Sequence, residues 1–215
     1  MRNRFDRQLA QLNELLTEMG SMIEESIATA ARAVANSDVE DAKRVMERED
    51  DINHAERDVE NLCFKLLLQQ QPVARDLRQI SAALKMVTDM ERIGDQSADI
   101  CEILIKSDRL KNSHIPDYIR KMAEETIFMV TTAVEAYVKK DQNMAEMVVN
   151  YDIKVDNLFN QIKADIMDGI RKSEHGDEQA IDILMIAKYL EKIGDHAESI
   201  AKWVVFSITG EHYSK

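Results

Sequence analysis

The chain writes one pattern twice. "ERIGDQSADI" (91–100) returns one hundred residues later as "EKIGDHAESI" (191–200), so Glu91, Ile93, Gly94, Asp95 and Ile100 recur as Glu191, Ile193, Gly194, Asp195 and Ile200. Further upstream, "ATAARAV" (28–34) lies 103 residues before "TTAVEAY" (131–137), and at that offset Asp38 matches Asp141, Ala42 matches Ala145, Val45 matches Val148 and Ile52 matches Val155. The difference between the two offsets falls in the connection before each third helix, where the first copy carries the longer "QQQPVARDLR" (69–78). A unit of about 100 residues, duplicated once, has to fold the same way twice.

That unit is helical. Apolar residues recur at three- and four-residue spacing, as in Leu9, Leu12, Leu16, Met19, Ile23 and Ile27, and no stretch alternates like a strand. Only six Gly and two Pro occur in 215 residues, so breaks are few and elements long. The pattern predicts helices over 5–35, from the "NSD" turn (36–38) to 70, and over 74–105. It restarts with a helix ending near 139, then 142–172 and 179–208, with "SEHGDE" (173–178) as the last turn. Pro72 ends the second helix, and the polar "KSDRLKNSHIPD" (106–117) separates the copies. The expected fold is all-α: two tandem, sequence-related three-helix bundles side by side, spectrin-like, with up-down-up helices of about 45 Å each. The first bundle spans 1–107, the second 115–215, and 108–114 links them.

A formal charge of −12 argues against nucleic acid and fits cation binding, a basic partner surface, or simple solubility. Cys63 and Cys101 have no framework spacing and read as buried, reduced thiols. The start, "MRNRFDRQLAQLNELL", has no signal-peptide core, and runs such as "WVVF" (203–206) are far short of a membrane span. A cytoplasmic protein with no direct membrane insertion is expected.

On a helical wheel Gly94 sits inside a continuous apolar arc beside Ser97, Ala98 and Cys101, so it reads as a point of close helix approach. Glu91 and Asp95 occupy the edge of that arc, and Glu191 and Asp195 occupy it in the second copy. Acids four apart repel by a few tenths of a kcal/mol. Either neighbouring cations such as Arg92 and Lys192, or water, neutralise them, or they bind something. The second helices carry a matching pair, Asp152 and Asp156, which align with Glu49 and Asn53. Two such pairs on neighbouring helices can converge four oxygen donors on a metal ion or small cluster. His196 falls on a more polar side and reads as solvated.

"QQQPVARDLR" (69–78) followed by "MERIGDQSADI" (90–100), with "LEKIGDHAESI" (190–200) and "MGSMIEESIATAARAV" (19–34), resembles the PhoU family over essentially the whole chain. The resemblance implies two similar three-helix bundles, no catalysis, and E/D-x-x-x-D motifs that bind iron or zinc clusters in some members. Those motifs fall on Glu91/Asp95, Asp152/Asp156 and Glu191/Asp195; Glu49 departs from the pattern, being followed by Asn53, which ligates without charge. It also implies negative regulation of bacterial phosphate uptake and phosphate-starvation signalling. The expected partners are the ATPase subunit of the phosphate ABC transporter and a sensor histidine kinase.

Arg75, Asp76 and Arg78 open the third helix near a turn. Asp76 is expected to cap or neutralise the helix start, with both arginines free for a partner. Edge residues such as Trp203 point to a homodimer. The competing readings are a metal-free helical adaptor and a di-metal carboxylate enzyme; the latter class needs Glu-x-x-His pairs, which the chain lacks.

Overall fold

The computed structural model describes residues 2–69, 72–112, 115–171 and 177–213. Residues 173–176 of the expected turn, the helix ends expected at 70 and 172, and part of the 108–114 link fall outside them; Asp177 and Glu178, expected in that turn, instead open the last helix. Among the described residues there are six long α-helices and no strand: α1 (Arg2–Asn36), α2 (Val39–Gln69), α3 (Ala74–Lys106), α4 (Asp117–Lys139), α5 (Gln142–Arg171) and α6 (Asp177–Thr209). One short 3₁₀ turn, Leu110–Asn112, lies between the halves.

The duplication is exact enough to govern backbone detail. α1 ends on Ser37 at φ 54° and α4 on Lys140 at φ 55°, both in the left-handed region that side-chain-bearing residues seldom adopt. The amide of Ser37 donates to Val34 O and that of Asp38 to Ala33 O; Lys140 and Asp141 repeat the pair onto Tyr137 O and Ala136 O. Each is a Schellman ending, which satisfies the last carbonyls of the helix. Asp38 Oδ1 then accepts from the amides of Glu40 and Asp41, both at 3.0 Å, and Asp141 Oδ1 accepts from Met144 N at 3.1 Å. The aspartates cap the first turns of α2 and α5.

Each half is a three-helix bundle, α1–α2–α3 and α4–α5–α6, and the halves lie side by side with α3 on α6 and α1 on α4. The core stripe of α1 (Leu12, Leu16, Met19, Ile23, Ile27) is fully buried. The arc read on the third helix is buried as well, from Met86, Val87 and Met90 through Ile93, Gly94, Ser97 and Cys101 to Leu104. α3 and α6 thus serve twice, closing their own bundles and joining the two. Cys63 and Cys101 are free and buried, and burial pushes both thiols up to about 12. None of the described helices is long and apolar enough to cross a membrane.

Candidate functional site

Helix packing and site geometry meet at the two repeated glycines. A Cβ placed on Gly94 would stand 2.9 Å from Ile52 Cδ1 and 3.0 Å from its Cγ2. One on Gly194 would stand 3.2 Å from Val155 Cγ1 and 3.5 Å from Asp152 Oδ1. Ile52 and Val155 are repeat equivalents, so the same knob enters the same gap in each half. Because the backbones close there, the acids flanking each glycine on α3 or α6 are carried against those flanking the knob on α2 or α5. The glycine is the packing device, and the carboxylate seam is its consequence.

In the second half Asp152 and Asp156 of α5 and Asp195 of α6 converge. Each places a carboxylate oxygen within 4.8 Å of the other two, and all three residues are half-buried. Burial, then the charges of Asp195, Glu191 and Glu198, raises the Asp156 carboxyl. Glu191 joins this seam with cations already on it: Lys188 at 2.6 Å and Lys192 at 3.4 Å. Lys192 also pairs with Asp195, and Lys202 holds Glu198 at 2.5 Å.

The first half is built of the same parts with less compensation. Glu49 of α2 faces Asp95 and Asp99 of α3, and burial followed by those charges and Asp50 raises its carboxyl. Glu91 is pushed up to about 7, first by burial and then by Asp95 and Glu56; it is also hydrogen-bonded to Asp95. Asn53 is half-buried on the same α2 stripe, between Glu49 and Glu56. Glu56 is a member that the paired-acid spacing does not reveal; its one signal is standing seven residues, two turns, after Glu49. Its repeat equivalent is Phe159, whose ring carries Lys188 Nζ at 5.2 Å. The two seams have therefore diverged: the first gained an acid where the second gained an aromatic ring and a lysine.

Other expected positions stand differently from their sequence reading. His196 is not solvated. Its Nδ1 lies 2.9 Å from Asp89 Oδ1, and Ser199 Oγ donates to Asp89 Oδ2 at 2.7 Å, with Asp89 buried. The polar side of α6 meets a polar stripe of α3. Tyr189 is hydrogen-bonded to Asp99 farther along, so the two helices cross antiparallel, with both acids supplied by α3. Trp203 is half-buried in a cluster with Phe206 and His212 rather than an open edge. Arg75 is exposed in the first turn of α3, whereas Asp76 and Arg78 are half-buried.

The set Asp152, Asp156 and Asp195 is all oxygen, with spacing that suits a hard cation. It fits iron better than zinc, which favours nitrogen and sulfur. The competing lysine pairs are substantially solvated, so they oppose a metal only weakly.

The fold and seams define a class: a duplicated all-α protein of paired three-helix bundles, each with a carboxylate seam at a glycine crossing. The PhoU domain family matches it twice, over residues 16–104 and 119–204, and the chain belongs to the PhoU family. It is 31% identical over 208 residues to a phosphate-specific transport system accessory protein PhoU homolog of Clostridium acetobutylicum, covering 96% of this chain and 95% of that one. The crystal structure of PhoU from Pseudomonas aeruginosa superposes with a TM-score of 0.90 at 28% identity, covering 96% of this chain and all of that one. The phosphate transport system regulatory protein PhoU from Streptococcus pneumoniae shares the fold, with a TM-score of 0.90 at 23% identity over 98% of this chain and all of that one.

Proposed function

We propose that this protein is a regulatory accessory of a phosphate-specific transport system. It restrains phosphate uptake and the phosphate-starvation response when phosphate is plentiful. It acts in the cytoplasm as an adaptor between the transporter's ATPase subunit and a sensor histidine kinase. The observation that carries this reading is the relationship over the full length of both chains, with both repeats matched. The form of the molecule supports it: long packed helices offer extended faces for contact, and chemistry has no part in the proposal.

Metal binding belongs to the same reading. Asp152, Asp156 and Asp195, with Glu191, would hold iron or zinc at the second seam; Glu49, Asn53, Glu91 and Asp95, with Glu56, would do so at the first. The metal would neutralise a surplus of half-buried negative charge and fix the seam as a docking face. A second reading, a metal-free adaptor, is favoured by Lys188 and Lys192 already pairing Glu191 and Asp195. Homodimerisation is part of the proposal, though the half-buried Trp203 lends it no support.

Deleting the gene in its own host and following a phosphate-starvation reporter at high phosphate tests the regulatory role. The reporter should switch on, and the wild-type gene should silence it. A reporter that stays silent in the deletion would sink the regulatory reading. Complementation by an Asp152→Asn/Asp195→Asn variant separates the two forms: failure points to metal, and full silencing to the metal-free adaptor.

A further inference from the structure

One cavity at the far end of α3 has nothing to do with the carboxylate seams. It encloses about 370 Å³ and is lined by Arg75, Arg78 and Gln79 of α3, Tyr137 and Lys140 at the end of α4, and Ser207 and Ile208 of α6. Three of those side chains are cationic and none is acidic, on a chain whose formal charge is −12. Along α3 it lies about 20 Å from Glu91.

Lys140 is held by a buried neighbour. Gln79 is 7% exposed and Tyr137 1%. Tyr137 donates its hydroxyl to Gln79 O at 3.1 Å, and Lys140 Nζ donates to Gln79 Oε1 at 3.2 Å. With its carbonyl end occupied, the Gln79 amide keeps Nε2 as its donor end. The Arg78 stem packs 3.3 Å from where a Cβ on Gly210 would lie, and its Nε is buried with no hydrogen-bond partner among the described residues. α3 starts at the rim, and among the described residues its N-cap, Val73, gives no side-chain hydrogen bond to the first-turn amides. Guanidinium forks, an ammonium, an amide donor and a helix start all favour one ligand chemistry: a compact oxyanion with several acceptor oxygens.

We propose that this cavity binds a phosphate-class dianion, held by Arg75, Arg78 and Lys140 with Gln79 as a neutral donor. It draws residues from both repeats, so the ligand would bridge the two bundles. The site does not rest on the regulatory reading, and it needs no metal. Overall negative charge disfavours indiscriminate anion binding, which makes saturation at one site diagnostic.

The test is calorimetric titration of the full chain with inorganic phosphate in divalent-free buffer containing a chelator, and separately with AMP. The expected result is saturable binding of one phosphate per chain. An Arg75→Ala/Lys140→Ala variant should weaken it at least about tenfold, with circular dichroism unchanged and the melting temperature lowered only by the loss of the Lys140–Gln79 hydrogen bond, which a Lys140→Ala single variant measures separately. Arg78→Gln should weaken it further, with folding checked in the same way. AMP binding tenfold or more tighter than phosphate would mean that the dianion belongs to a small phosphorylated metabolite; equal or weaker binding would mean that it is phosphate itself. No saturable binding of either probe, or equal affinity in wild type and the double variant, would overturn the site.

Discussion

Glycine inside a helix gives up about 1 kcal/mol against alanine, and Gly94 and Gly194 accept that because a knob from the neighbouring helix fills the space. The two are not equally tight. At Gly94 an added Cβ meets two carbons of Ile52 at 2.9 and 3.0 Å; at Gly194 the nearest is one Val155 methyl at 3.2 Å. Gly94→Ala should lower stability by about 1 kcal/mol in urea titration, because overpacking there exceeds the propensity gain, whereas Gly194→Ala should lie near zero. Equal losses would mean that the crossings are alike and the distances immaterial. Glu91 offers a pH test in metal-free protein. Its carboxyl is pushed up to about 7, above its unfolded range, so folding favours the protonated form. That contribution is complete below the unfolded pKa and is lost as pH rises through about 7. Glu91→Gln should therefore stabilise the protein by about 1 kcal/mol at pH 8, the figure being moderated by solvent screening at a half-buried group, and change little near pH 4.

At the scale of the helix and its turn, the duplicated Schellman endings and aspartate caps give matched expectations. Asp38→Ala and Asp141→Ala should each cost about 1 kcal/mol, and the double variant should cost their sum, since the two turns share no partner. The contact between α3 and α6 is more demanding. Asp89→Ala leaves His196 and Ser199 without their common acceptor at a buried crossing, and about 2 kcal/mol of stability should go with it. A loss within about 0.5 kcal/mol of zero would mean that water replaces the acid at no cost. Helical periodicity made the apolar arc legible, and Met86, Ile93, Gly94 and Cys101 are all buried where the wheel puts them. Periodicity marks the arc that a helix turns to its own bundle, but it does not show that a polar stripe will meet another polar stripe. Asp89 and His196 lie on such stripes, which is why His196 reads as solvated. Glu56 is hidden for a related reason: two turns from Glu49 it looks like any surface acid until α3 is laid beside it.

For the whole molecule, the offset repeats made the two-bundle architecture legible, down to the matched turn residues Asp38 and Asp141. What duplication hides is divergence. The first seam collected Glu56; the second collected Phe159 and Lys188 around a tighter triplet of oxygens, while Arg92 and Lys192 keep equivalent positions in both. The docking of α3 on α6 is likewise absent from either repeat taken alone, because it exists only once both are folded. On this account the seams are what the duplication preserves: each half sets two acid-bearing helices against a glycine, and the mutual repulsion of those acids is what a bound cation would relieve. The most direct test is elemental analysis of the purified, tag-free protein beside an Asp152→Asn/Asp195→Asn variant, with folding confirmed by circular dichroism. Near-stoichiometric iron or zinc in the wild type, with a large part of it lost from the variant, is the predicted result. Equal metal content in the two proteins, or none retained or taken up by either, would contradict the claim and leave the seams as solvated faces of a metal-free adaptor.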